Sequence, residues 1–144
     1  MLNLKRYLMK VKLFLPLLLL ATCLTGFAQE KKGAIKVSIL YPYAEGKTFD
    51  MDYYETTHMP MVAGFLGDNL EKYTIEKGIA SGIPDTPLPF MAVGSFYIKD
   101  LKAYQEAIAP NRDAIRADFP KYTNIVPIIL VSEVIKWGFK IRFS

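Results

Sequence analysis

His58 is the single histidine of the 144-residue chain, and Tyr54 stands four positions before it in the stretch F-D-M-D-Y-Y-E-T-T-H-M-P, Phe49 to Pro60. An unperturbed imidazole titrates near pH ~6.5 and so exchanges protons around neutrality. At this spacing on a helix the two Cβ atoms lie about 5–6 Å apart, close enough to share a ligand or a water. The chemistry supported is general acid/base catalysis, with His58 as the acid/base and Tyr54 as its proton partner or orienter. A structural role stands beside it, in which the imidazole bonds a backbone carbonyl that Pro60, lacking an amide hydrogen, leaves free.

Other chemistries lack their residues. One imidazole cannot build an ordinary zinc site, and no carboxylate cluster for calcium is visible. There is no phosphate-binding glycine loop or dinucleotide fingerprint. Ser38, Ser81, Ser95 and Ser132 sit in no nucleophile elbow. No metal and no cofactor is therefore evident. An apolar or aromatic ligand would find its lining in Tyr41, Met61 and Phe65, with Tyr53 nearby. Tyr122 and Asn124, in Tyr122-Thr123-Asn124, either line a pocket mouth or make a turn. Tyrosines at core spacing also serve simply as core aromatics with satisfied hydroxyls.

Residues 1–28 place Lys5, Arg6, Lys10 and Lys12 before an apolar run from Leu13 to Leu20, with Gly26 and Ala28 following. That is the pattern of an export signal cleaved after Ala28, giving a periplasmic or extracellular protein. Leu20-Ala21-Thr22-Cys23 offers a lesser alternative, lipidation at Cys23, and an uncleaved anchor is third. The chain has 18 Lys+Arg against 14 Asp+Glu, and four of the basic residues lie in this segment, so the remainder is formally neutral. Neutrality gives no warrant for a nucleic-acid partner, or for a membrane partner once the signal is gone, unless Cys23 is lipidated. The only cysteine leaves with the signal, so stability must come from a packed core. About 116 residues remain, enough for one domain.

The elements that must position the site follow from periodicity. After a short linker, 29–33, Ala34 to Tyr41 alternates as a strand. Asp50 caps a helix carrying Tyr54, His58, Met61 and Phe65 on one stripe, interrupted near His58 by Pro60 and closed by Gly67. Tyr73–Ala80 and Phe90–Ile98 read as strands. Asp100 caps a second helix that Pro110 breaks, with Asn111 capping a further turn. Ile125–Ile135 is the last strand. The order strand, helix, strand, strand, helix, strand is the ferredoxin-like βαββαβ arrangement of the α+β class. The domain spans 34–135, and a C-terminal extension, 136–144, continues the alternation. That tail extends the last strand, pairs with a neighbouring subunit or frays.

The last strand is apolar on both faces: Ile125, Ile129, Val131 and Ile135 against Val126, Ile128, Leu130 and Val134. A sheet with helices on one side only should show water a polar second face. A second copy packed sheet against sheet is the simplest cover, which predicts a homodimer.

Ile35-Lys36-Val37-Ser38-Ile39-Leu40-Tyr41-Pro42, then Tyr53-Tyr54 and His58-Met59-Pro60, then Tyr122-Thr123-Asn124-Ile125 with Pro127, together resemble the EthD family over about Ala34 to Ile135. The resemblance implies the dimeric α+β barrel fold. Its namesake accompanies oxidative degradation of an alkyl ether, and members are often called reductases, which implies an oxidoreductase or a related cofactor-free enzyme acting on a small hydrophobic molecule. Relatives with this barrel include cofactor-free oxygenases, lactone isomerases and haem-binding enzymes. A non-catalytic ligand carrier is the alternative, and haem held by His58 a second one. The export signal and the tail after Ile135 depart from the family pattern.

Overall fold

The computed structural model of the protein describes residues 33–138. The expected export signal with Cys23, and the end of the tail beyond Gly138, lie outside the described residues. Strand β1 (Ile35–Pro42) leads into α1 (Met51–Tyr53), a π-helical turn (Tyr54–His58) and α2 (Met59–Leu66). Next come β2 (Leu70–Lys77), β3 (Phe90–Ile98), α3 (Leu101–Asp118) and, after a 3-10 turn at Phe119–Lys121, β4 (Ile128–Glu133). The sheet order is β2-β3-β1-β4 with every neighbouring pair antiparallel. This is the expected ferredoxin-like α+β architecture.

Period-two alternation decides the faces. Val37 sits opposite Phe96 and Val131, and Tyr41 opposite Ala92. Val37, Tyr41, Ala92 and Phe96 are buried in one cluster with Tyr54, Met59, Val62 and Leu66 of the first helical region, and α3 packs Tyr104, Ile108 and Ile115 against it. Ser38 and Ser95, opposite each other on the other face, are buried and share an Oγ–Oγ hydrogen bond of 3.3 Å. Asp50 and Asp100 cap their helices as expected, accepting from the amides of Tyr53 and Ala103 at 3.0 and 2.7 Å.

Three boundaries differ from the sequence expectation, each for a local reason. Strand β2 starts three residues before Tyr73 because Asn69 exchanges hydrogen bonds with Asp100, at 3.0 and 2.9 Å, and its carbonyl takes the Lys99 amide. Ile79, expected on the strand, is 92% exposed beyond its end. Helix α3 runs unbroken through Pro110. The proline is exposed, and Asn111, rather than capping a new turn, donates its side-chain amide to the Ala107 carbonyl at 2.8 Å. Strand β4 is shorter than Ile125–Ile135, beginning only after Pro127, which has no ladder donor.

Within the described residues, as far as Gly138, the tail does not extend β4. Val134 still donates to the Ala34 carbonyl, but Trp137 turns onto Tyr97 with ring centroids 5.8 Å apart, and the Lys72 ammonium lies 4.7 and 4.5 Å from the two rings. Along β4, Ile128 and Leu130 on one face and Ile129 and Val131 on the other are all exposed.

Candidate functional site

The first helical region places its inward residues through an irregularity. The Met59 amide donates to the Tyr54 carbonyl, a five-residue step, so the turn holds one residue more than an α-helix allows. Pro60, whose ring would crowd the preceding turn of a regular helix, sits just after this widened turn at the start of α2. Tyr54 and His58 stay buried, and the next buried positions are Met59, Val62 and Leu66. Met61 and Phe65, expected on the same stripe, are only half-buried, because the extra residue rotates them off it.

Tyr54 and His58 are stacked, with centroids 5.6 Å apart and planes at 16°. The His58 ring nitrogens find other partners. Nδ1 lies 2.8 Å from Asp118 Oδ2, and Nε2 lies 3.3 Å from the Tyr122 hydroxyl. Asp118 Oδ1 accepts from the Tyr53 hydroxyl at 2.9 Å and from Lys121 Nζ at 3.0 Å. The Tyr122 hydroxyl meets that of Tyr41 at 2.9 Å, and Tyr41 in turn interacts with the Tyr54 hydroxyl. An ionised carboxylate only accepts hydrogen bonds, so the row is polarised. His58 donates from Nδ1 to Asp118, leaving Nε2 to accept from Tyr122. Tyr122 then accepts from Tyr41, whose ring packs edge-on against that of Tyr54 with centroids 5.5 Å apart.

Burial pushes His58 below its ordinary range, and the hydrogen bond to Asp118 only partly restores it, so the imidazole is neutral at neutral pH. Burial opposes charge on Asp118 too, but the bonds from His58, Lys121 and Tyr53 outweigh it and hold the carboxyl below its usual range. Burial raises Tyr41, Tyr54 and Tyr122 far above an ordinary phenol, so none of them ionises alone. For His58 and Asp118 the unfolded chain binds protons more readily than the folded one. Stability is therefore full above the ordinary histidine value of 6.5 and falls as pH drops below it, with a further loss below the carboxylate value of 3.8. Thermal unfolding across this range should show the melting temperature declining below pH 6.5, with His58→Gln flattening the upper part of the decline. An unchanged profile in that variant would remove His58 as the cause.

Beside this row lies a cavity of about 310 Å³, its wall including Tyr41, Tyr54, His58, Met59 and Ile129. Tyr122 and Asn124 face a wider, open groove on the neighbouring surface. Tyr53 sits outside the cavity wall and reaches Asp118. Asn124 ties loops together, accepting from the Thr48 amide at 3.0 Å and donating to the Gly46 carbonyl at 3.4 Å. Met61 and Phe65 are not on the cavity wall, where Met59 and Val62 stand instead.

Sequence reasoning missed Asp118 and Gly94. A signal for the first existed: an acidic residue in the last turn of a helix faces the negative end of the dipole and calls for compensation. Gly94 has no local signal, yet a Cβ there would fall 2.1 Å from the Tyr54 hydroxyl, so glycine makes the seat for that ring.

No group of three or more His, Cys, Asp and Glu side chains that could hold a metal occurs among the described residues. The arrangement does not fit haem on His58, because both ring nitrogens are engaged and an axial bond would require Tyr122 to leave.

The chain is similar to the crystal structure of an EthD-like protein from Ralstonia eutropha JMP134, with 38% sequence identity and a TM-score of 0.69 over 74% of this chain and 96% of that one. It is also similar to an ethyl tert-butyl ether D (EthD) family protein from Bacillus halodurans C-125, at 21% identity and a TM-score of 0.47, covering 70% of this chain and 98% of that one. No family model and no curated protein matches the chain. The first of these likenesses extends over nearly the whole of the Ralstonia protein at an identity where fold and family follow together. The chain belongs to the EthD family.

Proposed function

We propose that the protein is a small exported enzyme that binds an apolar or aromatic molecule in the cavity and moves a proton to or from it. The observation that carries this reading is the polarised row from Tyr41 through Tyr122 and His58 to Asp118, which together with Tyr54 borders an apolar cavity large enough for a small ligand. His58 takes the proton, Asp118 stabilises the resulting imidazolium, and Tyr54 and Tyr41 orient the ligand. High phenol pKa values favour a relay in which each hydroxyl passes a proton on as it receives one. The deprotonated ligand is the electron-rich species that isomerisation or oxygenation requires. Export is supported by the basic and apolar pattern of residues 1–28.

The test begins with mass spectrometry of small molecules that co-purify with the protein. The wild type should convert the retained molecule, or its chemical class, and His58→Gln should bind it with turnover reduced at least about 100-fold. Retention without conversion by the wild type supports the second reading, a non-catalytic carrier. That reading draws on the complete satisfaction of the row's polar atoms, since among the described residues no buried side-chain nitrogen or oxygen lacks a partner.

We further propose that the protein is a homodimer through the sheet face that carries Ile128 and Leu130, whose side chains are more than half exposed. Analytical ultracentrifugation at micromolar concentration should give twice the chain mass. A monomer there sinks the dimer.

A further inference from the structure

Helix α3 and the turn that follows it face the cavity with Tyr104, Ile108, Arg112, Ile115 and Phe119, at steps of four, four, three and four. That is the spacing of a core-facing stripe, and four of its five members are apolar or aromatic. Arg112 occupies the position where a leucine would complete the wall. Arg116, one turn later, also borders the cavity. A cation in the last helical turn complements the dipole, which accounts for Arg116 but not for Arg112, a full turn further in.

Neither guanidinium meets a carboxylate among the described residues. The ion pairs there join His58 and Lys121 to Asp118, and Lys102 to Glu106. Asp118, the acidic group nearest in sequence to Arg116, is already taken by His58, Tyr53 and Lys121. The cavity thus joins an apolar wall, a proton-active row and an unpaired guanidinium. A guanidinium presents a planar fork of donors whose match is a planar two-oxygen anion.

We infer that the molecule bound here is a small amphipathic carboxylate, its apolar body in the cavity and its carboxylate on Arg112, with Arg116 adding charge at the mouth. This rests on the cavity being the ligand site, as proposed above, and adds the class of ligand. Arg112 is a specificity-determining residue, because a neutral analogue of the same shape would leave its fork unmatched.

Isothermal titration with 4-phenylbutyrate and with its neutral counterpart, 4-phenylbutan-1-ol, separates the two statements. The acid should bind the wild type about tenfold more tightly than the alcohol. Arg112→Gln should bring the acid to the level of the alcohol without altering alcohol binding. Arg112→Lys should recover part of the preference, since it keeps the charge and loses the fork. Alcohol binding with no preference for the acid overturns the carboxylate and leaves the cavity as the ligand site. A preference that survives in the Arg112→Gln/Arg116→Gln variant overturns it as well. Failure of the wild type to bind either probe overturns both. Arg112 is exposed, so thermal melts should show the variants folded.

Discussion

Asp118→Ala is expected to lower the free energy of unfolding by about 2–4 kcal/mol near neutral pH, the largest single-residue effect on the site. The carboxylate accepts from His58, Tyr53 and Lys121. Removing it leaves the His58 N–H buried without an acceptor and frees a half-buried tyrosine hydroxyl. Lys121 is exposed, returns to water and contributes little. Asp118→Asn keeps a carbonyl oxygen for the imidazole and should lose clearly less, so the pair of variants separates hydrogen bonding from charge. Urea unfolding measures both. A loss below about 0.5 kcal/mol in the alanine variant would mean that the row is not held from this end.

Gly94→Ala should destabilise, although alanine in a strand interior is ordinarily better than glycine by about 0.5–1 kcal/mol. The new methyl would fall 2.1 Å from the Tyr54 hydroxyl and 3.2 Å from Met59 Sδ, both in the packed core. Overpacking of this kind costs about 1–3 kcal/mol. Tyr54→Phe removes the atom in closest conflict, so the double variant should be more stable than the two single losses predict by more than about 1 kcal/mol. Additivity within about 0.5 kcal/mol would show that the strand gives way instead. The same steric conflict should displace Tyr54 from Tyr41, so the proposed ligand conversion should fall in Gly94→Ala even where the fold survives.

Much of the frame was legible because it is written in local patterns. Alternation marked β1 and β3, Asp50 and Asp100 announced their helices, and Gly67 closed the first helical region. Features that depend on two distant segments were not legible. The sequence singles out His58 as the candidate acid/base, but its partner lies sixty residues away, and only the packing of α3 brings it within 2.8 Å. Pro60 signalled a disturbance, yet nothing local distinguishes a broken helix from one that takes up an extra residue. Pro110 was misleading for the opposite reason: its exposed position lets the helix tolerate a defect that a buried one would not.

The π-helical turn fixes the site by counting rather than by chemistry. Each residue advances an α-helix by about 100°, so one surplus residue turns all that follows it by that angle. Tyr54 and His58 lie before the offset takes effect, and Met59, Val62 and Leu66 after it. Shortening Glu55-Thr56-Thr57 by one residue would therefore leave every side chain of the site present in the sequence and exchange the face that α2 shows to the sheet. Chain length in this turn therefore carries structural information of its own, independent of which residues fill it.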